Sequence, residues 1–245
     1  MTDALYLNDA YLTRFDAEVA GASPEGILLD RTAFYPSGGG QPADRGELSW
    51  GDGGRVRVRD VQKTPAGIVH VLDPPSTDLT VGTRVSGTVD WTLRFAHMRY
   101  HTALHILSGV VFRTVGSGIT GNQISAERAR MDFSLPGFDR SLADSLIEGV
   151  NAVVREERPV TVRFLPRSEA LQDPTLVRVA QELLPDVATV RLIDIEGFDV
   201  QADGGTHVAN TREVGVVRLE RIENKGSRNK RLYLTVAPSE GALPH

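Results

Sequence analysis

The sequence predicts an α+β protein: a small β-barrel at the N-terminus, then an α+β sandwich with an antiparallel sheet and helices on one face. Three observations carry this. Up to about residue 90 the chain is a series of short alternating runs broken by Gly, Pro and Asp, the mark of period-two strands without intervening helices. At Trp91 the pattern gives way to an apolar stretch of helical character. Beyond it helical and strand-like segments interleave, as in a sheet covered by helices. The expected units are residues 1–90 and 91–245.

Within the first unit, Gly26–Asp30, Arg55–Gln62, Ile68–Asp73 and Thr83–Asp90 read as strands. SPEG, PSGGGQP, WGDGG, KTPAG and DPPSTD punctuate them. Short strands at such close spacing predict a barrel. In the second unit, helices are expected over residues 94–115, Ser141–Glu157 and Ser168–Leu184. The second of these carries an apolar stripe of Leu142, Leu146, Val150, Val153 and Val154. Strands are expected at Thr161–Phe164, Thr189–Ile195, Val214–Ile222 and Arg231–Val236.

Composition narrows the class. The 245 residues are 40% hydrophobic and 24% charged, ordinary for a globular chain with a sizeable core. No apolar run approaches the roughly 20 residues of a bilayer span, and MTDALYLNDAYL lacks the basic and apolar regions of a signal peptide. The chain has no cysteine, which excludes disulfides and thiolate ligands and fits a cytoplasmic protein. A metal site here must be built from His and carboxylate. The net charge of −5 belongs to residues 1–90, with 8 basic and 13 acidic side chains, while the remainder carries 19 of each. Overall acidity therefore does not argue against an anionic partner for the second unit.

Two split motifs carry the candidate chemistry: HTALH at His101–His105 and DGGTH at Asp203–His207. In a helix, His101 and His105 share one face. In the second motif a Gly-Gly turn lets Asp203 and His207 converge. Two helix histidines with a carboxylate and a histidine from a loop form a zinc-type donor set. Position 102 is Thr, so the general base of an HExxH peptidase is missing. His97 continues the helix face, but the span from His97 to His105 is about 12 Å at 1.5 Å per residue, so His97 is read as a supporting residue. His70 is read as a packing residue, and His245 is the terminus.

Two further segments stand out. Phe34–Gly46, FYPSGGGQPADRG, places three glycines beside Pro36 and Gln41. It is either a barrel hairpin or a main chain that approaches a ligand closely, and it lacks the Lys-Ser/Thr of a P-loop. From Arg218 to Arg231, the chain holds Arg218, Arg221, Lys225, Arg228, Lys230 and Arg231 against Glu220 and Glu223. This is either a solvated strand-turn-strand or a phosphate-contacting hairpin.

HTALH, DGGTHVANTREVG about 100 residues later and the preceding FYPSGGGQPADRG together resemble the AlaX family of free-standing alanyl-tRNA editing proteins, related to the editing domain of alanyl-tRNA synthetase. GNQISAERARMDF and ENKGSRNKRLYL extend the resemblance over nearly the whole chain. It implies a β-barrel plus an α+β editing domain, and zinc-dependent hydrolysis of serine, and sometimes glycine, wrongly attached to alanine tRNA. It maps the zinc ligands to His101, His105 and His207. The family's fourth position is usually Cys, in CGGTH; here it is Asp203, and carboxylate is an acceptable zinc donor. Thr102 and Gln41 become the candidates for contact with the substrate, and the basic hairpin for contact with tRNA. The alternative is a tRNA-binding module with a structural zinc and no turnover.

Overall fold

A computed structural model describes residues 2–76, 78–134, 138–172, 176, 188–225 and 229–237. The chain divides into two compact units, Met1–Phe95 and Ala96–His245, with the division inside the first long helix.

The first unit contains β1 (Asp3–Ala4), β2 (Arg14–Ser23), β3 (Gly26–Leu29), β4 (Arg31–Thr32), β5 (Gly46–Trp50), β6 (Gly54–Thr64), β7 (Gly67–Asp73) and β8 (Arg84–Val89). Six of them close a barrel in the order β2-β3-β7-β6-β5-β8, while β1 and β4 form a short parallel pair. Alternation builds it: Phe15, Ala17 and Val19 of β2 and Val85 and Val89 of β8 face inward between exposed neighbours. Gly87 continues the inward row of β8, where a Cβ would lie 2.4 Å from the Phe15 ring; the missing side chain makes room for the aromatic.

The glycine-rich segment resolves into a hairpin turn. Gly38 and Gln41 exchange both main-chain hydrogen bonds, at 3.1 and 2.9 Å. Gly39 and Gly40 between them have φ of 57° and 86°, the left-handed pair that a two-residue turn requires and glycine supplies. The following Asp44 is wholly buried against Arg94, and it also accepts the Tyr35 N–H at 2.6 Å. Arg94 further donates to the carbonyls of Ala10, at 2.7 Å, and Ala33. Every strong donor in this dry site has an acceptor, as a buried ion pair demands.

The second unit continues with α1 (Trp91–Val115), β9 (Ile119–Ile124), β10 (Ala129–Ser134), α2 (Arg140–Arg155), β11 (Val160–Pro166), α3 (Arg167–Ala170), β12 (Thr189–Ile195), β13 (Asp199–Ala202), β14 (Val216–Asn224) and β15 (Asn229–Ala237). The fold is α+β, as the sequence predicts, but its antiparallel strands form two sheets, β14-β15-β10-β9 and β11-β12-β13. From Tyr100 to Val111, α1 is buried on every side, which explains an apolar run without an exposed stripe. The amphipathic α2 starts at Asp139, whose carboxylate accepts the Leu142 N–H at 2.8 Å. It packs on β14, where the Asn151 amide exchanges two 2.9 Å hydrogen bonds with the main chain of Val217. The strand expected from Val214 starts at Val216 because Thr211–Val214 is a 3-10 turn with an Asn210–Glu213 capping box. Of the helix expected over Ser168–Leu184, the described part ends at Ala170; residues 173–175 and 177–187 lie outside the described residues, as does His245. Among the described residues no helix is long and apolar enough to cross a membrane.

His70 sits wholly inside the barrel, in edge contact with Phe34. Its Nδ1 lies 3.3 Å from the Ile27 carbonyl, which can only accept, so Nδ1 carries the proton and Nε2 accepts from the Thr32 hydroxyl at 2.8 Å. Burial pushes its pKa down to about 4. The folded ring is then neutral while the unfolded ring binds a proton below about pH 6.5, so stability is full above that value and declines as pH falls toward 4. Urea unfolding from pH 7 to 4 should show wild type losing on the order of 3 kcal/mol more than His70→Gln. Parallel pH profiles for the two proteins would contradict this.

Candidate metal centre

The four predicted donors meet. Helix α1 contributes His101 and His105 from one face; the turn after β13 contributes Asp203 and His207. Their ligand-capable atoms all lie within 4.8 Å of one another. Ring centroids are 5.1 Å apart for His101–His105, 4.3 Å for His101–His207 and 4.5 Å for His105–His207. His101 Nε2 is 3.6 Å from Asp203 Oδ1, and His207 Nε2 is 3.1 Å from Asp203 Oδ2. A tetrahedral ion with bonds of about 2.0–2.2 Å separates its donors by about 3.4 Å, so these spacings fit a divalent metal.

The protonation states fit as well. Burial pulls His101 below the usual imidazole range, with Arg191 and His97 adding to the effect and Asp203 opposing it. Burial also takes His207 well below that range, helped by the charges of His101 and His105. For Asp203 burial acts to raise the pKa, but the His101 charge and the His207 hydrogen bond outweigh it, and the carboxyl stays well below its usual value. Neutral imidazoles and a carboxylate are the forms that bind metal.

Surrounding groups aim these donors. Thr102, wholly buried, places its hydroxyl 3.2 Å from His207 Nδ1 and accepts the Val208 N–H at 3.2 Å. The sequence reading gives this hydroxyl to the substrate; in the structure these bonds go to the protein. Neither Gly204 nor Gly205 has a left-handed φ, and a Cβ on Gly204 would meet nothing within 4 Å. The turn is therefore not held by glycine's backbone freedom. The Asp203 carboxylate accepts the Gly205 N–H, and Arg191 reaches the carbonyls of both residues. Arg191 went unnoticed in the sequence; its signal is a charged residue within the apolar run VRLI. His97 is buried one turn before His101 and stands outside the donor set.

The other candidates stand outside the four-donor set. Gln41 is buried in the first unit, next to the glycine turn. On the hairpin, Arg221 and Lys225 both pair with Glu223, at 2.8 and 3.1 Å, and Arg231 bonds bidentately to Asp132, at 2.7 Å. Arg221 also stacks on Tyr233, 4.0 Å from the ring centroid. Lys230 donates to Asn224 at 2.9 Å, and Arg218 is exposed without an ion-pair partner among the described residues. Arg228 lies outside the described residues.

Comparison with known proteins identifies the family. A family model described as tRNA synthetases class II (A) matches residues 7–93, and one described as the threonyl and alanyl tRNA synthetase second additional domain matches residues 190–233. An alanyl-tRNA editing protein AlaX-M of Saccharolobus solfataricus is 41% identical, covering 97% of this chain and 100% of the relative. That of Methanosarcina acetivorans is 39% identical, covering 96% and 99%. The chain belongs to the AlaX-M family of alanyl-tRNA editing proteins. The alanine–tRNA ligase of Pyrococcus abyssi is 38% identical over 91% of this chain, which corresponds to 24% of the ligase. The AlaX-M chain thus parallels one segment of that much longer enzyme.

Metal analysis of the purified protein should give about one divalent ion per chain, lost in His101→Ala and in His207→Ala. Asp203→Cys should keep the ion, since thiolate is the softer and tighter donor. Equal metal content in wild type and both alanine variants would remove the site.

Proposed function

We propose that this chain hydrolyses the ester bond of alanine tRNA charged with the wrong amino acid, chiefly serine and also glycine, using zinc held by His101, His105, His207 and Asp203. The observation that carries the reading is the buried four-donor cluster in a chain that spans the full length of AlaX-M editing proteins. As an alanyl-tRNA editing protein it is a hydrolase: water adds to the ester carbonyl, the ribose oxygen leaves, and free amino acid and uncharged tRNA result. The reading assigns this work to the cytoplasm.

The need for such an activity follows from size. A site shaped for alanine cannot sterically exclude glycine, and it discriminates weakly against an analogue that adds only a hydroxyl. A second site that hydrolyses the wrong product supplies the missing selectivity. Bound zinc would contribute Lewis acidity at the carbonyl. The protein's own groups hold the donors in place. Thr102 suits the task because a hydroxyl can either donate to or accept from His207 Nδ1, and its second lone pair still takes the Val208 N–H. Four protein donors would by themselves close the coordination sphere, which is the feature favouring a structural zinc without turnover.

Hydrolysis of seryl-, glycyl- and alanyl-tRNA, with and without chelator, tests the reading. Rapid loss of serine, slowed by chelator and sparing alanine, is the expected result; binding without deacylation selects the structural role. Thr102→Val should lower seryl-tRNA deacylation about 10-fold at unchanged preference over alanyl-tRNA, and Thr102→Ser should restore it. A narrowed preference would return the hydroxyl to substrate recognition.

For tRNA contact the proposal keeps the hairpin cations Arg218, Arg221, Lys225, Arg228, Lys230 and Arg231, as phosphate ligands that position the substrate without reading its sequence. Within this set Arg218 and Lys230 carry charge that no carboxylate neutralises among the described residues. The Arg218→Ala, Lys230→Ala double variant should weaken tRNA binding and reduce the salt slope by roughly 1.5–2, with metal content unchanged. Identical affinity at low salt would assign the hairpin to solvent.

A further inference from the structure

The turn that presents Asp203 and His207 is held by a side chain outside both histidine motifs. Arg191 lies on β12, the middle strand of its sheet, between Val190 and Leu192, with all three residues buried. An arginine with only 8% exposure in such a strand is costly unless its donors are used. Its Nη1 donates to the carbonyls of Asp203 and Gly205, each at 2.9 Å, and its own carbonyl accepts the Asp203 N–H at 3.1 Å. Arg191 therefore grips the main chain on both sides of Gly204, where no glycine strain fixes the path.

We propose that Arg191 is the positioning residue of the metal centre, setting where the Asp203 carboxylate and the His207 ring stand against His101 and His105. This rests on the metal-binding reading of the cluster. The planar guanidinium holds its two N–H bonds at a fixed angle, so two carbonyls two residues apart are tied at one separation. An ammonium can donate to both, but it rotates about its Cε–Nζ bond and so does not fix the directions of its donors. The role is indirect: Arg191 acts on the backbone that carries the donors and contributes no ligand atom itself.

The full chain, stripped of metal and reloaded with Co2+, tests this, because the visible absorption of Co2+ reports donor number and geometry. Wild type should take up the ion with a defined band that His207→Ala loses. Arg191→Gln should bind Co2+ about 10–100-fold more weakly with an altered band, and Arg191→Lys should recover part of the affinity. Circular dichroism establishes that each variant is folded. Wild-type affinity and band in both Arg191 variants would overturn the proposal; if Arg191→Gln does not fold, the same result in Arg191→Lys alone overturns it. A wild-type protein that takes up no more Co2+ than His207→Ala would instead remove the metal reading, and this proposal with it.

Discussion

The crowding of three largely buried imidazoles and a part-buried carboxylate within 4.8 Å of one another is the constraint to which the second unit is built. Desolvation opposes charge on every one of these groups, and a lone carboxylate in such a place needs a partner of opposite sign. The protein's own groups supply compensation. His207 Nε2 lies 3.1 Å from an Asp203 carboxylate oxygen, Gly205 N–H caps that same oxygen, and the nearby guanidinium of Arg191 is turned to main-chain carbonyls. A cation held between the four donors would add to that balance.

That demand explains features otherwise odd for their elements. A helix buried all round, as α1 is from Tyr100 to Val111, gives its histidines fixed rotamers but leaves no room for loose neighbours. Gly109 is one consequence, since a Cβ there would lie 2.7 Å from the Phe198 ring. Ser108 and Gln201 face each other nearby, with Gln201 also bonded to Asp199, so polar groups in the region are paired within the protein. The rigidity that such packing confers is what a site with donor spacings near those of a bound ion requires.

Much of this was legible in the sequence. The change of period at Trp91 and the two i,i+4 motifs gave the barrel, the helix and the donor set, because each depends on local spacing. Seven strands, β1, β2, β4, β5, β9, β10 and β13, did not announce themselves individually. β9 reads ITGNQI, polar on its edge position, and β13 is four residues long; pairing in three dimensions rather than local pattern makes them strands. The division of the second unit's strands into two sheets is likewise a matter of long-range partners. Within the site, the Gly-Gly of DGGTH drew attention to backbone freedom, whereas the turn is governed by Arg191, twelve residues earlier. The basic hairpin shows the same limit: counting cations could not reveal that Glu223 and Asp132 already engage three of them.

The carboxylate at position 203 is coherent with this geometry, although the family pattern has cysteine there. A carboxylate has two oxygens, and Asp203 divides them: Oδ1 faces His101, while Oδ2 accepts the Gly205 N–H and lies beside His207 Nε2. One atom can thus serve a metal while the other closes the turn. A thiolate has a single sulfur and is a weak acceptor of N–H bonds, so a cysteine would leave the main chain to be held by Arg191 alone. The softer donor would bind zinc more tightly, and the harder one stiffens the loop that carries it. With a metal bound, a carboxylate at this position would give up ligand strength for loop rigidity.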